Sequence, residues 1–470
     1  MPATRPDPLW SLTAHELVAG YRLGAFTPTN AMQSVFDRLD AINLKINAII
    51  ALDREGALDT AQAATIRWRQ GRPLSALDGV PISVKDNLYL KGLPATWGSK
   101  LLIDFTPDRD EPAIALLRAA GMLLFGKTNV PEFTIQGYTD NLVFGPTFNP
   151  HAPSKTPGGS TGGGAAAVAA GIAPLAIGTD GGGSIRRPAA HCGLFALKPS
   201  IGLIPRYDGF PEILSDFEVI AAIGRCAKDL ELLRQILEVP DPLDPRSLAN
   251  PVSLPPLPSK PRVAFMPSIG TNPVDPEIAS AVSHIAHELA DAGATVETIG
   301  PPFDYDRTTS AWGTIMASGL ATYLASNPGW EDKVNPSARA AAKEGAKKTT
   351  AQLTEALSTA NDTRRAAAEF FTRYDLLLCP ATAALAWPAD EAFPPVIAGQ
   401  SVGPRGHAVF TAWMNVAGVP AVTVPLTMTK KGGGIGLQLT AGYGRDRDLL
   451  QFLTSSPVFQ NRPAIPLAVL

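Results

Sequence analysis

Twenty consecutive residues, Ser160 to Thr179, carry no charge, and most of them are glycine or alanine. The run is too apolar for a solvated loop. It also lacks the bulky side chains of a membrane span, and Pro174 interrupts it. It therefore reads as tightly packed interior, which demands a large core. The composition supplies one: 45% of the residues are apolar and 18% charged, the balance of a well-buried globular chain rather than a disordered one. A chain of 470 residues has room for two or three average domains, but large α/β enzymes often keep such a length as one unit.

The remaining texture points to an α/β fold. Thr13-Ala-His-Glu16 is a capping-box pattern, and Thr27-Pro28 precedes Ala31, Val35, Leu39 and Ile42 at helical spacing. From about Leu77, short apolar runs (Val80–Val84, Met122–Phe125, Leu175–Ile177) alternate with Gly-rich turns and helical segments such as Pro112–Ala120. That alternation predicts a large, mostly parallel mixed sheet with helices on both faces. Residues 239–261 hold eight prolines and read as an exposed connector. Beyond them Arg262–Met266, Asp275–Ala292 and Ala294–Ile299 form another strand–helix–strand unit. Residues 337–373 read as helical, and Leu376–Pro380, Phe410–Pro425 and Gly434–Thr440 as further strands.

Several function classes are disfavoured. A net charge of −3 gives no reason to expect nucleic acid or an anionic membrane surface as a partner. The three cysteines, Cys192, Cys226 and Cys379, are widely spaced and lack any CxxC pairing, so a disulfide framework or zinc site is not expected and a reducing cytoplasm fits. The N-terminus has no hydrophobic core of the signal-peptide kind, so the protein reads as soluble.

Three familiar motifs fail on context. Gly121-Met-Leu-Leu-Phe-Gly126-Lys127-Thr128 matches a phosphate-binding loop by letter, yet its middle is a buried strand preceded by a helix, and Pro131 blocks the helix that should follow. Gly162-Gly-Gly164-Ala-Ala-Ala167 fits a dinucleotide pattern without a strand before it or an acidic residue at the right distance after it. Gly158-Gly-Ser160-Thr-Gly162 fits the nucleophile elbow, again without its strand, and none of the six histidines lies in a context that suggests a base.

The density of glycine around two serines remains. Pro157-Gly-Gly-Ser160-Thr-Gly-Gly-Gly164 is followed by Gly178-Thr-Asp-Gly-Gly-Gly-Ser184-Ile-Arg-Arg-Pro188. So many glycines imply close backbone approach or unusual backbone angles. Bare amides ahead of Ser184 can cradle an oxyanion while its hydroxyl attacks, or they can simply form a tight turn capping the following helix. A serine nucleophile needs a base. Lys85 is the candidate, because it ends the apolar run Val80–Val84 and burial lowers a lysine pKa. It also reads as a surface lysine just past a strand end.

Gly79-Val-Pro-Ile-Ser-Val-Lys85-Asp, Gly126-Lys-Thr-Asn129, the Ser160 block and the Ser184 block together resemble the amidase signature family. The intervals agree too: 160 − 85 = 75 and 184 − 160 = 24. The resemblance extends to Phe410–Pro425 and Gly434–Gly442, most of the chain.

The resemblance implies one amidase domain over 1–470, with an N-terminal helical segment (1–70), a signature core (75–230), the connector and a variable helical region (303–375). It makes Ser184 the acylating nucleophile and Lys85 the ultimate base. Ser160, expected after a cis Gly159–Ser160 bond, becomes the proton shuttle. Gly181, Gly182, Gly183 and Ser184 supply the oxyanion hole. The implied reaction is hydrolysis of a small-molecule amide, with no metal or organic cofactor, and a homodimer is the prior for oligomeric state.

Thr161, Gly164 and His191 depart from the commonest family residues, which leaves the substrate open. Arg186 is expected on Asp180. Arg187 either pairs with a substrate carboxylate or is a second structural arginine. The family's amidotransferase A subunits, which release ammonia from glutamine for a tRNA-dependent partner, usually carry Gln at that position. Specificity is expected from residues 130–150, 303–365 and 385–410, with Trp312, Trp330, Phe133 and Tyr138 as aromatic candidates for a pocket.

Overall fold

The computed structural model describes residues 8–248, 254–460, 462 and 465–468. In chain order its strands are β1 (Ile49–Leu52), β2 (Pro81–Lys85), β3 (Leu123–Thr128), β4 (Leu175–Asp180), β5 (Phe195–Lys198), β6 (Val219–Gly224) and β7 (Arg262–Phe265). They continue with β8 (Thr295–Thr298), β9 (Leu376–Pro380), the two-residue strands β10 (Val396–Ile397) and β11 (Gln400–Ser401), β12 (Ala421–Met428) and β13 (Gly434–Thr440). All but β10 and β11 join one eleven-stranded sheet in the order β1-β3-β2-β4-β6-β5-β12-β13-β9-β7-β8, with helices around it.

The sheet is mixed, as the alternating pattern implies, but antiparallel neighbours outnumber parallel ones. Parallel pairing is confined to β3-β2-β4 and β9-β7-β8, each built through helical crossovers. Between them lie β4-β6-β5-β12-β13-β9, antiparallel throughout. A strand–helix alternation read along the chain counts crossovers. It does not show which strand a crossover returns beside.

Local chemistry accounts for the helices. Ala14–Leu23 starts at the capping box of Thr13 and Glu16 and stops at Gly24, in the left-handed region at φ 67°. Pro28–Ile46 begins with Thr27 accepting from the Asn30 N–H and buries Ala31, Val35, Leu39 and Ile42, the face that the spacing predicts. Within residues 303–375 the helices are Tyr305–Ala325, Pro336–Ala346 and Thr350–Phe370. The proline-rich connector is not wholly exposed. Asp244 and Ser247 are buried around a 3-10 turn, Pro245–Leu248, where Asp244 accepts from the Arg206 and Arg246 N–H groups. Its residues 249–253 lie outside the described residues.

The uncharged run behaves as interior. Gly162–Ala169 is a helix with every residue buried. Its small side chains permit contact that larger ones forbid: a Cβ on Gly163 would stand 2.5 Å from the Asn129 backbone. The run then turns into β4, which lies beside β2. Because β2 and β4 are parallel, Lys85 and Asp180 end neighbouring strands at the same edge of the sheet, where α/β folds place their chemistry. Among the described residues no helix is long and apolar enough to cross a membrane.

Candidate active site

Lys85 is fully buried at the end of β2, not a surface lysine. Its Nζ lies 2.9 Å from Ser160 Oγ, 2.8 Å from Thr179 Oγ1 and 3.1 Å from the Thr179 carbonyl oxygen. Burial pushes its pKa down to about 7, although the carboxylates of Glu218 and Asp180 act in the opposite direction. A lysine at that value has a substantial neutral fraction at physiological pH, so it can accept a proton.

Ser160 follows a cis peptide bond from Gly159. The loop entering it is crowded, since a Cβ on Gly159 would stand 2.2 Å from the Tyr138 carbonyl oxygen. The next residue, Thr161, donates its N–H to the Ser184 carbonyl oxygen at 2.9 Å, which ties the two serine loops together. The Ser184 hydroxyl has no hydrogen-bond partner among the described residues, and the residue is 8% exposed, facing a cavity. Among the described residues no histidine hydrogen-bonds either serine. His191 hydrogen-bonds the Ala384 carbonyl oxygen, and its buried ring titrates near 4.

The turn before Ser184 is wrapped around one carboxylate. Asp180 accepts from the N–H groups of Gly183 (2.7 Å) and Ile185 (3.1 Å), and from Asn415 Nδ2 (3.0 Å). Arg186 clamps it with Nη2 at 2.9 Å and Nε at 3.0 Å, the pairing expected from the sequence. Burial alone would raise the Asp180 pKa, but Arg186 and the amides hold it well below the usual carboxylate range. One expectation changes as a result. The Gly183 N–H is committed to Asp180, and Gly183 is absent from the cavity lining that holds Gly181, Gly182 and Ser184. The N–H groups of Gly181, Gly182 and Ser184 make no hydrogen bond among the described residues. Gly183 serves the turn instead: its φ of +104° suits glycine, and a Cβ there would meet Thr411 and Arg187.

Arg187 behaves largely as the structural alternative. It is 1% exposed and donates to the Gly182 carbonyl oxygen, to Thr411 Oγ1 at 2.9 Å and to the Gly159 carbonyl oxygen at 3.3 Å. It thereby braces both serine loops.

Ser184 shares its cavity with Gly181, Gly182, Arg187, Leu214 and Glu218. The other walls come from Thr134–Gln136, from Trp312 and Met316, and from Arg405, one group in each of the three segments expected to set specificity. Of the four aromatic candidates only Trp312 lines it. Phe133 is fully buried against Trp97, while the half-buried Trp330 packs against the apolar cluster that holds both.

A second layer behind Lys85 was not anticipated from the motifs. Asn87 Nδ2 bridges Thr179 Oγ1 (3.1 Å) and Glu218 Oε1 (3.3 Å), and Arg206 neutralises Glu218 at 3.0 Å. Asn87 lies two residues after Lys85, and that proximity was the one available signal.

The phosphate-loop match is a strand, as its context predicts. Lys127 is buried and donates to the Leu88 carbonyl oxygen instead of facing a ligand site.

Fold and cluster together define an α/β enzyme that hydrolyses amide C–N bonds, and similar proteins support that class. The family model for amidases matches residues 30–450, so the chain belongs to the amidase family. An acylamidase of Rhodococcus erythropolis is 32% identical over 475 residues, spanning 97% of this chain and 98% of its own length. The A subunit of the glutamyl-tRNA(Gln) amidotransferase of Alkaliphilus metalliredigens is 31% identical over 475 residues, 94% of each. Among solved structures, a bacterial aryl acylamidase of the amidase signature family superposes with a TM-score of 0.87 at 26% identity, covering 97% of this chain and 96% of that one.

Proposed function

We propose that the protein is an amidohydrolase that cleaves a C–N amide bond of a small molecule through an acyl-enzyme on Ser184, releasing ammonia or an amine. The observation that carries this reading is the buried Lys85 Nζ at 2.9 Å from Ser160 Oγ, in a loop tied to that of Ser184, whose hydroxyl makes no hydrogen bond among the described residues.

In this mechanism neutral Lys85 takes the proton of Ser160 as Ser160 takes that of Ser184. The freed Ser184 oxygen bonds to the amide carbon, and the carbonyl oxygen gathers negative charge toward the N–H groups of Gly181, Gly182 and Ser184. Collapse breaks the C–N bond, and the relay returns its proton to the departing nitrogen. Water then attacks the acyl group by the same relay and regenerates Ser184. Every step uses groups of this chain. In the test, the purified chain alone releases ammonia or amine from a panel of aliphatic, aryl, acylurea and hydrazide compounds. Ser184→Ala lowers turnover by about 10⁴-fold or more. Turnover that survives the substitution overturns the reading.

The amidotransferase relative favours a second reading, glutamine hydrolysis as the A subunit of a tRNA-dependent complex. Arg187 stands where such subunits usually carry Gln, which places it second. Activity that appears only with partner subunits and glutamine would reverse that order.

A further inference from the structure

The cations around the cavity are not matched by anions. Arg405 lies in the loop before the 3-10 turn Gly406–Ala408, and its guanidinium carbon sits 4.3 Å over the centre of the Trp312 ring. Trp312 in turn donates its Nε1–H to the Gly181 carbonyl oxygen at 2.8 Å, and a Cβ on Gly182 would stand 2.9 Å from the indole. One ring therefore separates the Arg405 charge from the turn that presents Ser184. Among the described residues Arg405 has no ion pair and no side-chain hydrogen bond; besides the ring, the Tyr305 hydroxyl acts on its charge.

Its neighbours are treated differently. Arg186 is held by Asp180, Arg206 by Glu218 and Arg364 by Asp216. Arg187 also lacks a carboxylate; its two Nη groups donate to backbone and to Thr411, while its buried Nε has no partner among the described residues. Glu218, the one carboxylate on the cavity wall, is already neutralised by Arg206 at 3.0 Å. Burial lowers Arg187 to about 9 and Arg405 to about 10, and the charge of Arg405 adds to the first shift, so both remain cations at neutral pH. The cavity thus carries uncompensated positive charge, which is costly when partly desolvated and becomes favourable when an anion enters.

We propose that Arg405 is a specificity-determining residue that receives a carboxylate carried by the substrate, so that the enzyme acts on acidic amides. This rests on the hydrolase reading above and goes beyond it by naming the substrate class. The planar guanidinium, steadied on Trp312, offers a forked pair of donors that suits a carboxylate.

Two pairs of compounds test it and locate the acid. Succinamate against butyramide places a carboxylate on the acyl side, and N-acetylglycine against N-ethylacetamide places it on the leaving-group side. The wild type is expected to prefer the acidic member of one pair. Arg405→Gln should lower kcat/KM on that member by about 10- to 100-fold, the loss of a charge-assisted pair, with the neutral member changed less than about twofold. Arg405→Lys, which keeps the charge without the fork, should retain part of the preference. If turnover of these small amides is slow, protection of Ser184 from a fluorophosphonate probe by the same four compounds gives the same comparison. Equal handling of both members of each pair by the wild type overturns the proposal, as does an equal loss on acidic and neutral members in Arg405→Gln. In either case, Ser184-dependent cleavage of neutral amides would leave the hydrolase reading standing, whereas cleavage that survives Ser184→Ala would remove that reading instead.

Discussion

The two walls of the cavity are built on opposite terms. On the sheet side Lys85, Ser160, Thr179 and Asp180 are fully buried at the ends of β2 and β4 and in the serine loops, and nearly every polar atom is committed. On the far side Thr134–Gln136, Trp312, Met316 and Arg405 come from loops and a helix, and Arg405 has no anionic partner among the described residues. The sheet side holds its chemistry rigid, and the far side leaves recognition open. A buried charge that is fully paired fixes geometry, whereas a cation left unpaired beside the reacting group waits for a ligand.

Asp180→Asn keeps the shape and removes the charge that Arg186, Gly183 and Ile185 converge on. It leaves a buried arginine uncompensated, so a loss of about 3–5 kcal/mol in unfolding free energy is expected. Denaturant melts against Arg405→Gln sharpen the contrast, because that substitution should leave stability within about 0.5 kcal/mol of wild type. Equal losses would mean that the two walls are not different in kind.

A smaller effect should come from the layer behind Lys85. The negative charge of Glu218 opposes the fall in the Lys85 pKa. Removing it in Glu218→Gln lets that pKa fall further below about 7, so the lysine stays neutral at lower pH. The acid limb of kcat/KM should therefore move to lower pH, with the alkaline plateau little changed. A limb that stays in place, or moves up, removes Glu218 from the electrostatics of the relay.

What was legible in the sequence follows the same division. Lys85, Ser160 and Ser184 stand in short motifs whose order and spacing survive as text, and the Gly/Ala run announces its own burial. The Arg186–Asp180 pair is local enough to read. The far wall is not. Trp312 meets Gly181 across 131 residues, and Arg405 meets Trp312 through a loop with no pattern of its own. The commitment of the Gly183 N–H to Asp180 was hidden too, since three consecutive glycines look equivalent until the turn assigns them different φ values. The antiparallel middle of the sheet escaped for a topological reason: β6 pairs with both β4 and β5, and hydrophobic periodicity does not specify partners.

Activation of Ser184 by Lys85 through Ser160 is the step on which the proposed chemistry turns. It is tested most directly by the rate at which a fluorophosphonate labels the protein as a function of pH, with the modified residue mapped by mass spectrometry. The account predicts one adduct, on Ser184, formed at a rate that rises with pH through about 7 as Lys85 loses its proton, and a Lys85→Met variant that labels slowly at every pH in that range. An adduct on Ser160 would contradict it, and so would labelling of Lys85→Met at the wild-type rate with the same pH profile.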